Sequence, residues 1–271
     1  MNCLLKQSTI KTGFVLKAAL VASIATAGSA SAGLVGHWTF DSDYTSTTGM
    51  NNATEPVSGN NIDNTDFQIG GGSASFSGSG NSDEVVVGDI DLTGTGYTLM
   101  AWVLSDGNSL GNDYIAGKEN AYHLGIRSSG TVWGSVRTDA GGNTFTPTGD
   151  NGSTIATTGN TWSHIVVVYD GTSLLRYVDG TLTGNAVANS GNMLPNDTDF
   201  KIGNDSGSAN RLFVGNIDDV ALFDEALSAA DILAIYNGGL AGQNVAQVIP
   251  EPGSLALLGL GGLCLMRRRR D

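Results

Sequence analysis

Two stretches of the sequence concentrate side chains whose oxygen atoms could bind a divalent cation. They lie near residues 41 and 218, and their members are Asp41, Asp43, Asn51, Asn52, Asp218 and Asp219. Calcium takes about six to eight oxygen ligands, so this composition suits a calcium site. The alternative is that these residues cap turns and face solvent. Strand geometry sends consecutive residues to opposite faces, so only one of Asp218 and Asp219 is expected to be a ligand, and we favour Asp219.

Carboxylates arranged for glycoside hydrolysis are not apparent. A glycosidase needs two carboxylates on either side of the scissile bond. The glutamates are widely scattered and form no E-x-D-x-E pattern; they are Glu55, Glu84, Glu119, Glu225 and Glu251. An enzyme that uses pairs of aspartates stays open as an alternative, but we predict no catalytic residues.

One short motif and three histidines also bear on catalysis. Residues 107–111 match G-x-S-x-G, which in hydrolases occupies a strained turn from a strand into a helix. Here the motif lies in a polar loop between two predicted strands, so the match is assigned to chance. His37, His123 and His164 fall inside predicted strands, which favours packing over metal binding or catalysis.

Aromatic rings beside Asn and Asp side chains offer a different chemistry, because a flat apolar ring can stack on a sugar whose hydroxyls bind the polar neighbours. Tyr122, Trp133 and Trp162 are the candidates for such a glycan site. Their positions in predicted strands also fit core packing, so both roles stay open. The polar stretches 141–161 and 184–199 are the loops expected to be most free to recognise a partner.

Charge separates the middle of the chain from its ends. Seven of the 13 basic and two of the 26 acidic residues lie in the ends, which leaves six and 24 and a net charge of −18 for residues 33–248. Nucleic acid and anionic lipid are poor partners for such a surface. Cys3 and Cys264 also lie in the ends, so disulfides cannot stabilise the middle of the chain.

The N-terminal end has the features of a secretory signal peptide. Lys6, Lys11 and Lys17 precede a small, apolar run at 18–27, and Ala30 and Ala32 supply the small residues that signal peptidase requires. We predict a signal peptide at 1–32, with cleavage after Ala32. An ordinary buried N-terminal helix is the alternative.

The C-terminal end has three parts: Pro250, Glu251 and Pro252, then an apolar run at 254–266, then Arg267, Arg268, Arg269 and Arg270. These parts resemble the PEP-CTERM sorting signal, which implies cleavage by an exosortase-type peptidase. The prolines keep the motif extended. The apolar run is shorter than the roughly 20 residues that span a bilayer, so the tail is expected to anchor transiently in the inner membrane, with its arginines in the cytoplasm. A plain tail anchor is the alternative.

The elements that must position these residues are mostly strands. Short apolar or alternating runs recur at 34–40, 73–76, 84–87, 97–104, 114–116, 122–126, 131–136, 162–169, 174–178, 200–202 and 213–223. Many short strands separated by glycine-rich turns indicate an all-β sandwich or barrel. The strand at 97–104 is apolar on both faces and is predicted to be central. One short helix is expected after Ser228, with a capping box to Asp231 and an end at Asn237 and Gly238.

The order of these segments resembles the laminin-G-like, concanavalin A-like sandwiches. The resemblance rests on the segments 34–41, 74–87, 97–103, 162–180 and 215–228, and it covers nearly all of residues 33–240. It implies a two-sheet antiparallel jelly roll at 33–240, followed by a linker at 241–249 and the sorting tail at 250–271, with helical segments at both termini. Members of this fold often hold a structural calcium where the first strand meets the last. The resemblance therefore implies that Asp41, Asp43, Asn52, Asp218 and Asp219 provide its ligands.

These observations favour an exported protein of the cell surface or extracellular matrix that binds a polysaccharide or surface glycan without cleaving it. A structural matrix protein without a specific ligand and a polysaccharide-active enzyme of the glucanase fold are the alternatives. The expected partners are the glycan, signal peptidase, an exosortase-type peptidase and, transiently, the inner membrane. Fold alone does not choose among the three functions.

Overall fold

A computed structural model describes residues 33–54, 62–78, 84–107, 111–146, 152, 154–157, 160–203 and 211–249. Its elements in chain order are β1 (Leu34–Trp38), β2 (Ile62–Asp63), β3 (Ser73–Ser77), β4 (Val85–Gly88), β5 (Tyr97–Ser105), β6 (Asn112–Lys118), β7 (Tyr122–Arg127), β8 (Val132–Thr138), β9 (Gly142–Phe145), β10 (Ser163–Tyr169), β11 (Ser173–Val178), β12 (Thr181–Ala188), β13 (Phe200–Ile202), β14 (Val214–Phe223), α1 (Ala229–Leu240) and α2 (Val245–Val248). All eleven predicted strands are present.

The strands form two antiparallel sheets. The larger sheet has the order β12-β11-β10-β5-β14-β3-β2, with β1 also paired to β14, and the smaller has the order β4-β13-β6-β7-β8-β9. The main core fills the space between them, where Trp38 stacks on Phe200 with ring centroids 5.4 Å apart. The predicted jelly-roll sandwich is therefore confirmed.

Strand β5 is the central strand that its sequence predicts. Every residue of it is buried, and it pairs with β10 on one side and β14 on the other. Leu99 and Val103 belong to the main core, whereas Met100 belongs to a second cluster beneath α1. Both faces of the strand are covered, which explains its unbroken apolar run.

Turn chemistry fixes the neighbouring hairpins. Asp179 and Gly180 join β11 to β12, and both have positive φ, 50° and 74°. That conformation matches the two-residue turn whose twist suits a hairpin, and it explains the Asp-Gly pair. Asp170 begins the preceding turn between β10 and β11, where its carboxylate accepts hydrogen bonds from the backbone amides of Thr172 and Ser173.

Helix α1 begins as predicted but ends later. Ser228 and Asp231 form the expected capping box, yet the helix continues through Asn237 and Gly238 to Leu240. Gly238 and Gly239 are buried. A β-carbon at Gly239 would lie 2.6 Å from the Trp102 ring, so this glycine allows close packing on the sheet instead of ending the helix.

The predicted linker at 241–249 is wrong for most of its length. It contains α2, which Asn244 caps through its contact with Gln247, and Val245 is buried in the cluster beneath the helices. Apolar contact with α1 and β14 holds this segment on the domain. Among the described residues, no helix combines the length and hydrophobicity needed to cross a bilayer. The predicted terminal helices lie outside the described residues.

Three strands, β2, β9 and β12, were not predicted. β9 and β12 are edge strands with mostly exposed residues, so they lack the apolar alternation that marks a strand in a sequence. They occupy parts of the stretches 141–161 and 184–199, which the sequence had indicated were loops.

Candidate functional site

The outer face of the smaller sheet carries an unusual set of side chains. On β7 and β8, alternate residues enter the main core, namely Tyr122, Leu124, Ile126, Val132 and Val136. The residues between them occupy the outer face, because side chains alternate along a strand. These are His123, Gly125, Arg127, Trp133, Ser135 and Arg137.

Aromatic rings from three strands meet on this side of the sheet. Around Trp133 the ring centroids lie 4.9 Å away for Tyr114, 6.1 Å for His123 and 6.3 Å for Phe145. We call these four residues the aromatic face. Gly125 lies opposite Trp133 on β7, and a β-carbon there would be 2.5 Å from the indole Nε1. The absence of a side chain at this position lets the indole lie close against the sheet.

Two arginines cover the rings. The guanidinium carbon of Arg127 lies 5.7 Å from the Trp133 centroid, and that of Arg211 lies 5.2 Å from the Tyr114 centroid. Both distances are typical of cation–π contacts. Arg127 also donates to Asn112 Oδ1 at 2.7 Å and to the Thr146 carbonyl at 3.1 Å, and Arg211 donates to the Tyr114 hydroxyl at 3.0 Å. These bonds fix where the positive charges lie.

Two adjoining recesses open on the aromatic face. The first has a volume of about 170 Å³ and is lined by Asn112, Tyr114, Arg127, Trp133, Phe145 and Arg211. The second has a volume of about 200 Å³; it shares Tyr114, Phe145 and Arg211 with the first, and Glu119, Asn120, His123, Ser135 and Asn143 complete its lining. Apolar rings beside amide and guanidinium donors are what a saccharide can use for stacking and hydrogen bonding.

The three predicted glycan residues do not come together. Tyr122 is 1% exposed, packs against Tyr97 and donates to the Ile90 carbonyl, so its predicted role at a glycan surface is wrong. Trp133 does belong to the aromatic face but is only 3% exposed. It forms the floor, whereas Phe145, which sequence reasoning missed, is 48% exposed. Trp162 is half-buried at the start of β10 in the other sheet, and its role stays a prediction.

The first three predicted calcium ligands make hydrogen bonds within their own loops or to a neighbouring loop. Asp41 accepts from the Gly71 amide, Asp43 from Thr45, and Asn52 from the Ser46 amide. Asn51 instead donates to the Val35 carbonyl. These contacts are those of turn-stabilising side chains.

Asp218 and Asp219 depart from the expected alternation. A β-bulge interrupts the pairing of β14 with β5 between Asp218 and Ala221, and Asp219 has φ of 48°. Ile217 and Val220 both enter the main core, so the two aspartates between them are both excluded from it. The prediction of opposite faces is therefore wrong, because a bulge inserts one extra residue into the alternation.

Both carboxylates are buried and hydrogen bonded. Asp219 Oδ1 lies 2.5 Å from His37 Nε2, and its Oδ2 accepts from the Val245 amide. Asp218 Oδ2 accepts from the amides of Gln68 and Ile69, each at 2.9 Å. Burial raises the pKa of Asp218 to about 8, and the charge of Asp219 adds to the rise against the opposing hydrogen bonds.

Calcium binding stays a prediction. Within the described parts of the chain, no group of three or more His, Cys, Asp and Glu side chains is placed to hold a metal ion. If a site does form, calcium at a hundredfold excess over its dissociation constant stabilises the fold by about 2.7 kcal/mol. A melting temperature that rises with calcium and falls with chelator supports the site, and Asp41→Asn should then reduce the gain. Equal melting temperatures contradict it.

The histidines all lie in strands, as predicted. His37 contacts Asp219, and His123 Nδ1 lies 2.8 Å from Ser135 Oγ on the aromatic face. His164 lies beside Trp102 and Tyr236 beneath α1, and burial lowers its pKa to about 3. Of the G-x-S-x-G match, Ser109 lies outside the described residues, as do all the predicted processing residues, Ala30, Ala32, Pro250, Glu251, Pro252 and Arg267–Arg270.

Solved structures with this fold include several binding domains. Domain 4 of AbnA, a GH43 extracellular arabinanase from Geobacillus stearothermophilus, in complex with arabinotriose, matches with a TM-score of 0.57 and 18% identity over 75% of this chain and 98% of that one. The binding domain of Paraclostridial Mosquitocidal Protein 1 matches with a TM-score of 0.58 and 13% identity over 76% of this chain and 52% of its own. The receptor-binding domain of botulinum neurotoxin type G gives 0.56 and 14%, over 76% and 51%. This chain therefore spans about half the length of the two toxin domains, and at these identities the likeness concerns the fold alone.

Comparison at the level of sequence families gives two matches. Residues 79–233 match the concanavalin A-like lectin/glucanases superfamily, and residues 248–270 match the PEP-CTERM protein-sorting motif. No curated protein matches the chain. Because the first match covers more than half of the sequence, the chain belongs to the concanavalin A-like lectin/glucanases superfamily, and it ends in a PEP-CTERM sorting motif.

Proposed function

We propose that this chain is an exported protein of the cell surface or extracellular matrix that binds a polysaccharide on its aromatic face without cleaving it. The observation that carries the proposal is the exposed Phe145 ring above the Trp133 floor, between two recesses lined with hydrogen-bond donors and acceptors. A sugar ring stacked on Phe145 would place its hydroxyls near Asn112 on one side and Asn143 on the other.

The sandwich leaves this surface available. Helices α1 and α2 pack on the larger sheet, where they cover Met100, Val166 and Phe223. No described helix covers the outer face of the smaller sheet. A concave or flat sheet face with clustered rings is a frequent place for ligand binding in folds of this kind.

Binding is favoured over catalysis by the charges of the site. Glycoside hydrolysis requires two carboxylates on either side of the bond. Of the described residues that line the two recesses, Glu119 alone is acidic. The arabinanase domain above is also described in complex with a saccharide, arabinotriose, which supports a saccharide-binding role for this fold without identifying the ligand.

The sorting motif supports export and processing by an exosortase-type system. The acidic body agrees with such a role, because a large net charge keeps an extracellular protein soluble. We therefore place the glycan outside the cell, with the producing cell's own exopolysaccharide as the first candidate.

Removing the exposed ring tests the proposal. Phe145→Ala is expected to weaken binding to the producing cell's exopolysaccharide about 10-fold, because it removes a stacking surface. Affinity electrophoresis of the purified protein through gels that contain the polysaccharide measures the effect. Phe67→Ala is the matched control, because Phe67 is also an exposed ring, at 37%, but lies beside the larger sheet. Equal retardation of the two variants contradicts a site at the aromatic face, and no retardation of the parent protein favours a structural matrix role.

A further inference from the structure

The positive charges of the folded body gather around the aromatic face. Residues 33–248 hold six basic residues against 24 acidic ones. Lys118 is paired with Asp89 and Asp91, Lys201 with Glu84, and Arg176 is buried and donates to the Val132 carbonyl. The other three are Arg127, Arg137 and Arg211, and all three belong to the outer side of the smaller sheet.

Two of these arginines share one recess. Arg127 and Arg211 both line the first recess, together with Asn112 and three aromatic rings, and none of its described lining residues is acidic. Each guanidinium is held over a ring and by neutral oxygen atoms, those of Asn112 and Thr146 for Arg127 and the Tyr114 hydroxyl for Arg211. Guanidinium groups fixed in this way are suited to bind a carboxylate or a sulfate through paired hydrogen bonds.

We propose that the polysaccharide bound at the aromatic face is acidic, with the carboxylate or sulfate of one sugar unit held between Arg127 and Arg211 in the first recess. This inference rests on the proposed function and specifies its ligand. The second recess contains Glu119, which repels a further anion at short range. The neighbouring sugar unit is therefore neutral, and its hydroxyls bind Glu119 and Asn143.

The acidic body makes this recognition local. At physiological salt, charges are screened beyond about 8 Å, so a group inside the recess interacts mainly with the two guanidiniums. A net charge of −18 for residues 33–248 opposes non-specific adsorption to a polyanion. Binding of an acidic polysaccharide by this protein thus indicates a specific site.

The test compares matched polysaccharides at physiological ionic strength. Dextran is the neutral probe, dextran sulfate the sulfated one, and polygalacturonate and hyaluronate the carboxylated ones; in hyaluronate, acidic and neutral sugars alternate. Binding of the full-length protein to each is measured by biolayer interferometry. Retention of a carboxylated or the sulfated polymer but not dextran supports the inference and identifies which anion is recognised.

Charge-removing variants locate the site. Arg127→Gln and Arg211→Gln are each expected to weaken binding of the acidic polymer about 10-fold, since each removes a charge-assisted contact. Arg137→Gln removes the same charge from the same side of the sheet but outside both recesses, and should leave binding unchanged. The circular dichroism spectrum of each variant confirms folding, and Arg211→Lys provides a milder change.

The possible failures are distinct. If the protein retains dextran or another neutral polysaccharide and no acidic one, and Phe145→Ala abolishes that binding, the acidic ligand is overturned but the carbohydrate-binding function stands. If Arg137→Gln weakens acidic binding as much as Arg211→Gln does, the clamp is overturned. If no polysaccharide binds, the proposed function itself fails.

Discussion

Replacing Asp219 by alanine is expected to lower the free energy of unfolding by about 3–5 kcal/mol, the usual cost of breaking a buried pair by removing one partner. Asp219 Oδ1 lies 2.5 Å from His37 Nε2, and both side chains are almost completely shielded from solvent. Its second oxygen accepts from the Val245 amide at 3.3 Å. The carboxylate thereby connects the first strand, the last strand and α2, and its removal leaves two buried donors without an acceptor.

Two further variants separate this pair from a general effect of charge. Asp219→Asn keeps the shape and one acceptor oxygen, and Asn tolerates the positive φ at this bulge, so it should cost clearly less than alanine. Asp66→Ala removes an exposed carboxylate near the same sheet edge and should be nearly neutral. Urea unfolding followed by tryptophan fluorescence measures all three. An alanine variant at position 219 as stable as Asp66→Ala refutes a stabilising His37–Asp219 pair.

The fold could be predicted where sequence pattern and turn chemistry agree. The apolar residues of β5 alternate between two cores, and Asp179-Gly180 supplies both positive-φ residues of its hairpin. Helix α1 was found from its capping box because Ser228 and Asp231 satisfy each other within one turn. Its end was missed, since Gly238 and Gly239 resemble a stop signal but serve packing against α2 and Trp102.

The site was less accessible to sequence reasoning. Alternation along β7 and β8 separates Tyr122 from Trp133, because Tyr122 shares its face with Leu124 and Ile126 whereas Trp133 shares its face with Ser135 and Arg137. That signal was present. The signal for Phe145 was not, since β9 is a short polar edge strand.

Long-range pairing explains the remaining misses. Arg211 precedes β14 and reaches Tyr114 because its carbonyl accepts from the Tyr114 amide, a contact between residues far apart in the chain. The bulge at Asp219 likewise arises where β14 pairs with β5. Neither has a local sequence pattern, so neither the arginine clamp nor the buried His37–Asp219 pair could be located before the strands were paired.

The stability of the protein is expected to fall by about 1.5 kcal/mol between pH 6.5 and pH 8, chiefly because of Asp218. Burial raises the pKa of this carboxyl from 3.8 to about 8 in the folded protein. In that pH range the unfolded chain has already released the proton while the folded chain still holds it. The unfolded state therefore binds fewer protons, and the free energy of unfolding decreases as pH rises until Asp218 ionises in the folded protein as well.

Below pH 6.5 a second buried group opposes this trend. Burial lowers the pKa of His164 from 6.5 to about 3, so between these values the unfolded chain binds a proton that the folded chain excludes. Stability contributed by His164 thus rises with pH at nearly the slope at which that of Asp218 falls. From about pH 4 to pH 6.5 the two cancel, and the curve of stability against pH should be nearly flat there.

Single substitutions separate the two contributions. Asp218→Asn keeps an oxygen to accept from the Gln68 and Ile69 amides but cannot ionise, so it should remove the fall above pH 6.5 and stabilise the protein most at pH 8. His164→Gln should remove the opposing contribution, so that the fall begins near pH 4. Urea unfolding from pH 4 to pH 9 measures the three curves, and the difference between parent and Asp218→Asn cancels other groups, including Asp179, whose pKa burial also raises. Parallel curves for the parent and Asp218→Asn would show that the carboxyl is already ionised in the folded protein at neutral pH.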